Sequence, residues 1–484
     1  MRLMVSARWI AFSAVGATVA AVAATAATAK TTPVLLATTP ATPPLVTALD
    51  DPALQTPQRT TAFAMASQAG ATYGRLLVSW RSIAPATLPS SWNPTDPASP
   101  YYHWSGLDAT VAAAQSNGIQ PIFDIVQAPS WGYETQPDGV YKGGRPSISA
   151  LGAFATALAS RYPAVHAFSV WNEPNFNRNL YPQDPTYYRS MVNAVADAVH
   201  GVNPANLALA GELAPFKHTP TKTDKNNVMP PLTFMRAMLC ISSTTPATRT
   251  CNTPAKFDVW THHPYSDTGP YGHAKVKGGV ELGDLPKMSS LLQTAWQLGS
   301  ISSAQAPQFW VTEIGWSSKP PNKHGVPMGL ETRWVGESFY QLWKSGATLG
   351  TWFLLQDEPI DTPFQSGLYY DSPSLSDAVA KPLLAPFRFP FVAYRKSGGK
   401  VSLWGRDATS TKQDVTIDMK IPGKQWKTVA IVTSNDYGIF QAILPLHAKG
   451  TYKMRASAQG VTSTIFSLTK PSNENMRVSP FPLS

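Results

Sequence analysis

Two glutamates stand where a hydrophobic strand runs out into polar sequence, and that placement is where chemistry is expected. Val165-His166-Ala167-Phe168-Ser169-Val170 reads as a short buried strand and leads directly into Trp171-Asn172-Glu173-Pro174-Asn175. A carboxylate beside an amide is costly in a core but well placed at the mouth of a pocket. Gln308-Phe309-Trp310-Val311-Thr312-Glu313-Ile314-Gly315-Trp316 repeats the arrangement, with Glu313 at the C-terminal end of the strand. Paired carboxyl groups at strand ends fit glycosidic bond cleavage, in which one donates a proton and the other attacks. Their positions require a scaffold that brings distant strand ends together.

Strand and helix alternate from residue 45 onward. Strands are expected at Leu45–Leu49, Tyr73–Trp80, Gln120–Val126, Val165–Val170, Leu207–Gly211, Phe257–His263, Gln308–Ile314 and Leu349–Leu355. Helices fall between them, and Ser147 is placed as an N-cap. This repetition predicts an α/β chain folded as a (β/α)8 barrel over residues 45–392, whose functional groups gather at the strand C-termini. A doubly wound open sheet is the alternative, but no Gly-rich phosphate loop follows the first strand. Short alternating runs then replace helices, so residues 393–470 read as a small antiparallel β-sandwich and 471–484 as a tail. Trp404, Trp426 and Tyr437 are aromatics there that could be exposed to a sugar, although a purely structural role for this domain is the simpler reading.

Residues 1–29 carry the marks of a secretory signal: Arg2 and Arg8, an alanine-rich apolar stretch, and the small-x-small site Ala27-Thr28-Ala29. Residues 30–44, rich in Thr, Pro and Ala, read as a flexible lead-in. No later run is long and apolar enough to span a membrane. An exported, extracellular protein agrees with the two cysteines, Cys240 and Cys251, which an oxidising compartment would join. Closing so short a loop stabilises by about 3 kcal/mol in the chain-entropy model. The formal net charge of +10 is spread along the chain, so no nucleic-acid partner is expected, although acidic glycans would be attracted. His262 and His263 are adjacent and would face opposite sides of a strand, so no metal site and no cofactor are expected.

Trp171-Asn172-Glu173-Pro174 and Thr312-Glu313-Ile314-Gly315-Trp316 resemble the fourth- and seventh-strand motifs of the clan A retaining glycoside hydrolases. Arg75 before Val78-Ser79-Trp80 resembles the second-strand arginine of family 5, His263-Pro264-Tyr265 the sixth-strand His-x-Tyr, and Trp352 the eighth-strand tryptophan. Pro129-Ser130-Trp131 and the stretch from Asp258 to Tyr265 look more like family 39. The resemblance implies Glu173 as general acid/base and Glu313 as nucleophile, with Asn172 on the sugar 2-hydroxyl and Arg75 paired with Glu313. It further implies Tyr265 orienting Glu313, His263 at substrate or just behind it, and Trp352 as the apolar floor of the subsite. Trp131 and Trp316 are additional candidates for stacking on sugar rings, and Trp80 is a weaker one. Asp357 and Glu358 read as a solvated loop. A polysaccharide or oligosaccharide is the expected partner. A transglycosylase using the same glutamates, or a non-catalytic sugar-binding protein, are the competing readings.

Overall fold

In the computed structural model, residues 34–39, 42–137, 143–219, 221, 225–446 and 452–468 are described. The expected signal segment and tail lie outside them. Eight parallel strands close into a barrel: β1 (Val46–Asp50), β2 (Tyr73–Ser79), β3 (Gln120–Val126), β4 (Ala167–Val170), β5 (Leu207–Leu213), β6 (Val259–His262), β7 (Gln308–Ile314) and β8 (Leu349–Phe353). Helices such as Arg59–Gln68, Ser105–Ser116, Ile148–Arg161 and Pro185–Val202 connect successive strands. Ser147 caps the third of these, its side chain accepting from the Ala150 N–H.

Alternate residues of each strand point into the barrel, and they are graded along its axis. At the N-terminal end Ala48, Ile122, Ala167, Leu209, Val259, Trp310 and Leu349 form an apolar plug. One step further the inward residues turn polar: Asp50, Arg75, Asp124, Ser169, Thr261, Thr312 and Thr351 are all buried. A closed barrel shields both layers from water. Ionised side chains in the second layer are therefore tolerable only when they satisfy one another.

Two small sheets follow. Phe391–Arg395, Val401–Arg406 and Ile439–Leu444 form one, and Asp414–Lys420, Trp426–Thr433 and Tyr452–Ala458 anchor the other. The lead-in departs from expectation, because Leu35–Thr38 is a strand lying parallel to Trp426–Thr433, with Leu35 opposite Ala430 and Thr38 opposite Thr433. Its Thr, Pro and Ala content disguises a short edge strand whose pattern is too brief to register. Trp404 is also placed differently: it is fully buried, with its ring 5.5 Å from Tyr340 and 5.6 Å from Trp343 on helix Met328–Lys344. It cements the sandwich to the barrel and cannot meet a sugar. Cys240 and Cys251 are joined as a disulfide.

Replacing Trp404 with alanine is expected to cost about 3–5 kcal/mol, the range for emptying a large aromatic site. Calorimetry should then show the sandwich melting before the barrel. Unchanged melting would mean that the contact contributes little.

Candidate active site

Arg75 is the centre of the polar layer. It is 2% exposed, and its guanidinium reaches five other side chains across the barrel. Nη1 donates to Asp50 on β1 (2.5 Å) and to Glu313 Oε1 on β7 (2.7 Å). Nη2 donates to Asp124 on β3 (2.7 Å), to Asn172 Oδ1 after β4 (2.8 Å) and to Glu212 on β5 (2.9 Å).

A second cation faces the same carboxylates. His263 has no exposed surface, and its Nε2 lies 2.8 Å from Glu212. Its Nδ1 lies 3.3 Å from Glu173 Oε1 and 3.6 Å from Glu313 Oε1. Burial alone would favour the neutral ring, but the surrounding Glu313, Glu173 and Glu212 outweigh it and push its pKa up to about 10. Both ring nitrogens therefore carry protons and donate. Two cations thus meet five carboxyl groups, and burial and the cations pull on these acids in opposite directions. Burial raises Asp50 to about 6 against the pull of Arg75, and raises Asp124 well above the ordinary carboxylate range. Glu212 goes the other way: burial opposes its charge, but Arg75 and His263 together hold it below that range.

Glu313 is fixed at both oxygens, since Tyr265 Oη donates to Oε2 at 2.8 Å. Neither Glu212 nor Glu313 sits in a regular strand. The register between β7 and β8 slips between Val311 and Ile314, and that between β5 and β6 slips opposite Trp260 and His262. Such bulges re-aim side chains. Here they turn residues that strict alternation would send outward into the barrel mouth. At the β5 bulge Gly211 has φ +123°, and a Cβ there would lie 2.2 Å from the Thr261 carbonyl oxygen, so only glycine fits. Trp171 and Glu173 also have positive φ, at +67° and +45°. Backbone of that kind is strained for such residues and collects at functional sites.

The structure brings Glu173, Glu313, Asn172, Arg75, His263 and Tyr265 together; of the candidate tryptophans, Trp316 lies beside them and the others do not. Arg75 and His263 are sealed behind the carboxylates and act on them rather than on a sugar. Trp352 is fully buried, its Nε1 donating to the Ser366 carbonyl, so it cannot serve as the floor of a subsite. Its neighbour Phe353 lines the surface in its place. Trp131 packs between Trp80 and Trp92, with ring centroids 5.7 and 5.3 Å away, and does not line the cleft. Trp80 is fully buried in that cluster. Trp316 lines a depression of about 300 Å³ with Tyr265, Phe353 and Phe364. A larger cavity of about 580 Å³ opens beside Glu173 and Asn172. Asp357 is no solvated loop residue, being 4% exposed and paired with Lys381 at 2.5 Å.

Sequence reasoning missed Asp50, Asp124 and Glu212. Each carried a signal, an acid inside or at the end of an apolar strand. Glu212 was passed over because its strand was ended at Gly211.

The carboxyl groups of Glu173 and Glu313 thus meet at the C-terminal mouth of a (β/α)8 barrel. The sequence model of the cellulase family, glycosyl hydrolase family 5, matches residues 39–320, and the chain belongs to that family. No curated protein matches it. Among solved structures, a family 39 glycoside hydrolase from the gut symbiont Bacteroides cellulosilyticus WH2 aligns with TM-score 0.53 and 14% identity, over 83% of this chain and 81% of its own. A monomeric β-xylosidase from Caulobacter crescentus CB15 gives TM-score 0.49 and 13% identity over 85% and 99%. The family 39 enzyme of Xanthomonas axonopodis pv. citri gives 0.48 and 13% over 85% and 94%. The protein is a glycoside hydrolase.

Glu212 acts here as a positioning residue. Its side chain holds His263, and its carbonyl accepts the Glu173 N–H at 2.9 Å. Because folding raises the His263 pKa, the stabilisation from its charge is complete below about pH 6.5, where the unfolded ring is also protonated. It is lost as the pH climbs toward about 10. In Glu212→Gln the ring loses a counter-ion, so that loss should finish at lower pH, with a cost at neutrality of about 1–3 kcal/mol. Urea unfolding from pH 6 to 10 checks this; parallel curves for the two proteins would contradict it.

Proposed function

We propose that the protein is a secreted, retaining glycoside hydrolase that cleaves O-glycosidic bonds of a polysaccharide or oligosaccharide by double displacement. The observation that carries this reading is the position of His263 between Glu173 and Glu313, at 3.3 and 3.6 Å. One ring nitrogen near both places their facing oxygens within about 7 Å of each other. That bound admits the short carboxyl separation of retaining enzymes, about 5–5.5 Å, and leaves out most of the range that inversion uses, about 6.5–9.5 Å.

Glu313, held by Arg75 and Tyr265, attacks the anomeric carbon, while Glu173 gives its proton to the departing oxygen. Asn172 supports the sugar. Its Oδ1 is committed to Arg75, which leaves the amide nitrogen to donate to a hydroxyl. When Glu313 becomes a glycosyl ester its negative charge disappears, and a new one appears on Glu173. The imidazolium between them need not move, because it faces the charge before and after the transfer. A fixed cation serving both steps costs no reorganisation. Glu173 then takes a proton from water, which hydrolyses the ester. Export is supported by the signal-like character of residues 1–29 and by the disulfide.

Glu173→Gln should lower kcat by about 10²- to 10⁴-fold on substrates with poor leaving groups, the usual worth of a general acid. It should spare the first step with activated aryl glycosides, which leave unaided. Proton NMR of early products should show the anomeric configuration retained. An inverted product, or equal losses for good and poor leaving groups, would overturn the proposal.

A further inference from the structure

The cleft differs in character on the two sides of the carboxylate pair. The depression near Glu313 is lined by Tyr265, Trp316, Phe353 and Phe364, and among the described residues its lining includes neither lysine nor arginine. The larger cavity, beside Glu173, is lined by two arginines, Arg81 and Arg178, with Gln127 and Asn179. Both arginines are exposed, and neither has an ion-pair partner among the described residues. The other arginine ion pairs engage Arg75, Arg145, Arg161, Arg333 and Arg455. Among the described residues, Glu173 is the one acid in the lining.

The Arg81 backbone N–H donates to the Gln127 carbonyl at 2.8 Å, which fixes the chain beside the cavity, and the Arg178 guanidinium lies 5.9 Å from the centre of the Phe176 ring. Phe176 itself lines the cavity. Two unpaired guanidinium groups over one concave surface form a site for an anion, because the planar fork matches carboxylate or sulfate oxygens in pairs.

Resting on the glycosidase reading above, we propose that this cavity is the leaving-group subsite and that it takes a sugar residue bearing an anionic group, carboxylate or sulfate. The side follows from the chemistry. The acid protonates the departing oxygen, so the departing sugar lies on the side of Glu173, where Glu173 and Asn172 line the wall. An acidic glycan chain would bind with its anionic unit against Arg81 and Arg178, while the sugar to be attacked meets the aromatic side.

The test uses the full chain carrying Glu313→Gln, which should bind without turnover, with and without Arg81→Gln and Arg178→Gln. Calorimetric titrations at low and high salt would compare cellotetraose and xylotetraose with tetragalacturonate, a mannuronate tetramer and sulfated cellotetraose. The carboxylated and sulfated arms separate the two anion sources. At least one anionic oligomer should bind about tenfold or more tightly than the neutral ones, the scale of a charge-assisted hydrogen bond. That preference should vanish in the double arginine variant and shrink with salt. Equal binding of neutral and anionic oligomers, unchanged affinity in the arginine variant, or no binding by any oligomer would overturn the subsite. Cleavage of the same panel by the wild-type chain is scored separately. Cleaved neutral oligomers without anionic preference would defeat the subsite alone. Arginine-dependent anion binding with no bond broken would instead defeat the glycosidase reading.

Discussion

A single buried guanidinium holds this site together. Stripping a charge of its water costs several kcal/mol even after relaxation, and the barrel interior offers Arg75 no solvent in exchange. It is stable there because Asp50, Asp124, Glu212 and Glu313 arrive from four different strands, with Asn172 from the end of a fifth. Each acid depends on the same arginine in turn. The dependence is mutual, so the barrel's closure and the geometry of the active carboxylates amount to one constraint. A strand out of register by one residue would expose an unpaired charge to the core.

Charge balance explains the supporting cast. Arg75 alone cannot offset so many carboxyl groups, and His263 supplies the second cation, oriented by Glu212. One imidazole nitrogen faces both Glu173 and Glu313, so the two carboxyl groups share a cation. Burial raises the pKa of Asp50 and Asp124, so these two acids take protons more readily than Glu212, which Arg75 and His263 hold ionised.

Much of this was legible in the residues. The period-two and helical runs placed all eight barrel strands, and the strand-end motifs placed Glu173, Glu313 and Arg75 in one centre. What escaped was geometry that breaks the period. Bulges at Glu212 and Glu313 turn side chains inward, and no alternation pattern reveals a bulge in advance. Glycine at 211 was the visible trace, read as an end instead of a turn. The tryptophans misled for another reason. Trp352 and Trp404 are buried and Trp131 is half-buried against other rings, and ring count alone does not distinguish a stacking platform from a core. The edge strand Leu35–Thr38 escaped because its partner lies almost 400 residues away in sequence.

The division of labour between Glu313 and its neighbours is the central claim, and trapping the intermediate tests it most directly. Wild-type protein would be incubated with 2-deoxy-2-fluoro glycosides, in which loss of the 2-hydroxyl contact slows both steps, and intact mass followed by peptide mapping would locate the adduct. One sugar per chain, attached at Glu313 and absent from Glu313→Gln, is the predicted result. A sugar attached at Glu173 or Glu212, or turnover of these glycosides with no covalent adduct, would contradict the account.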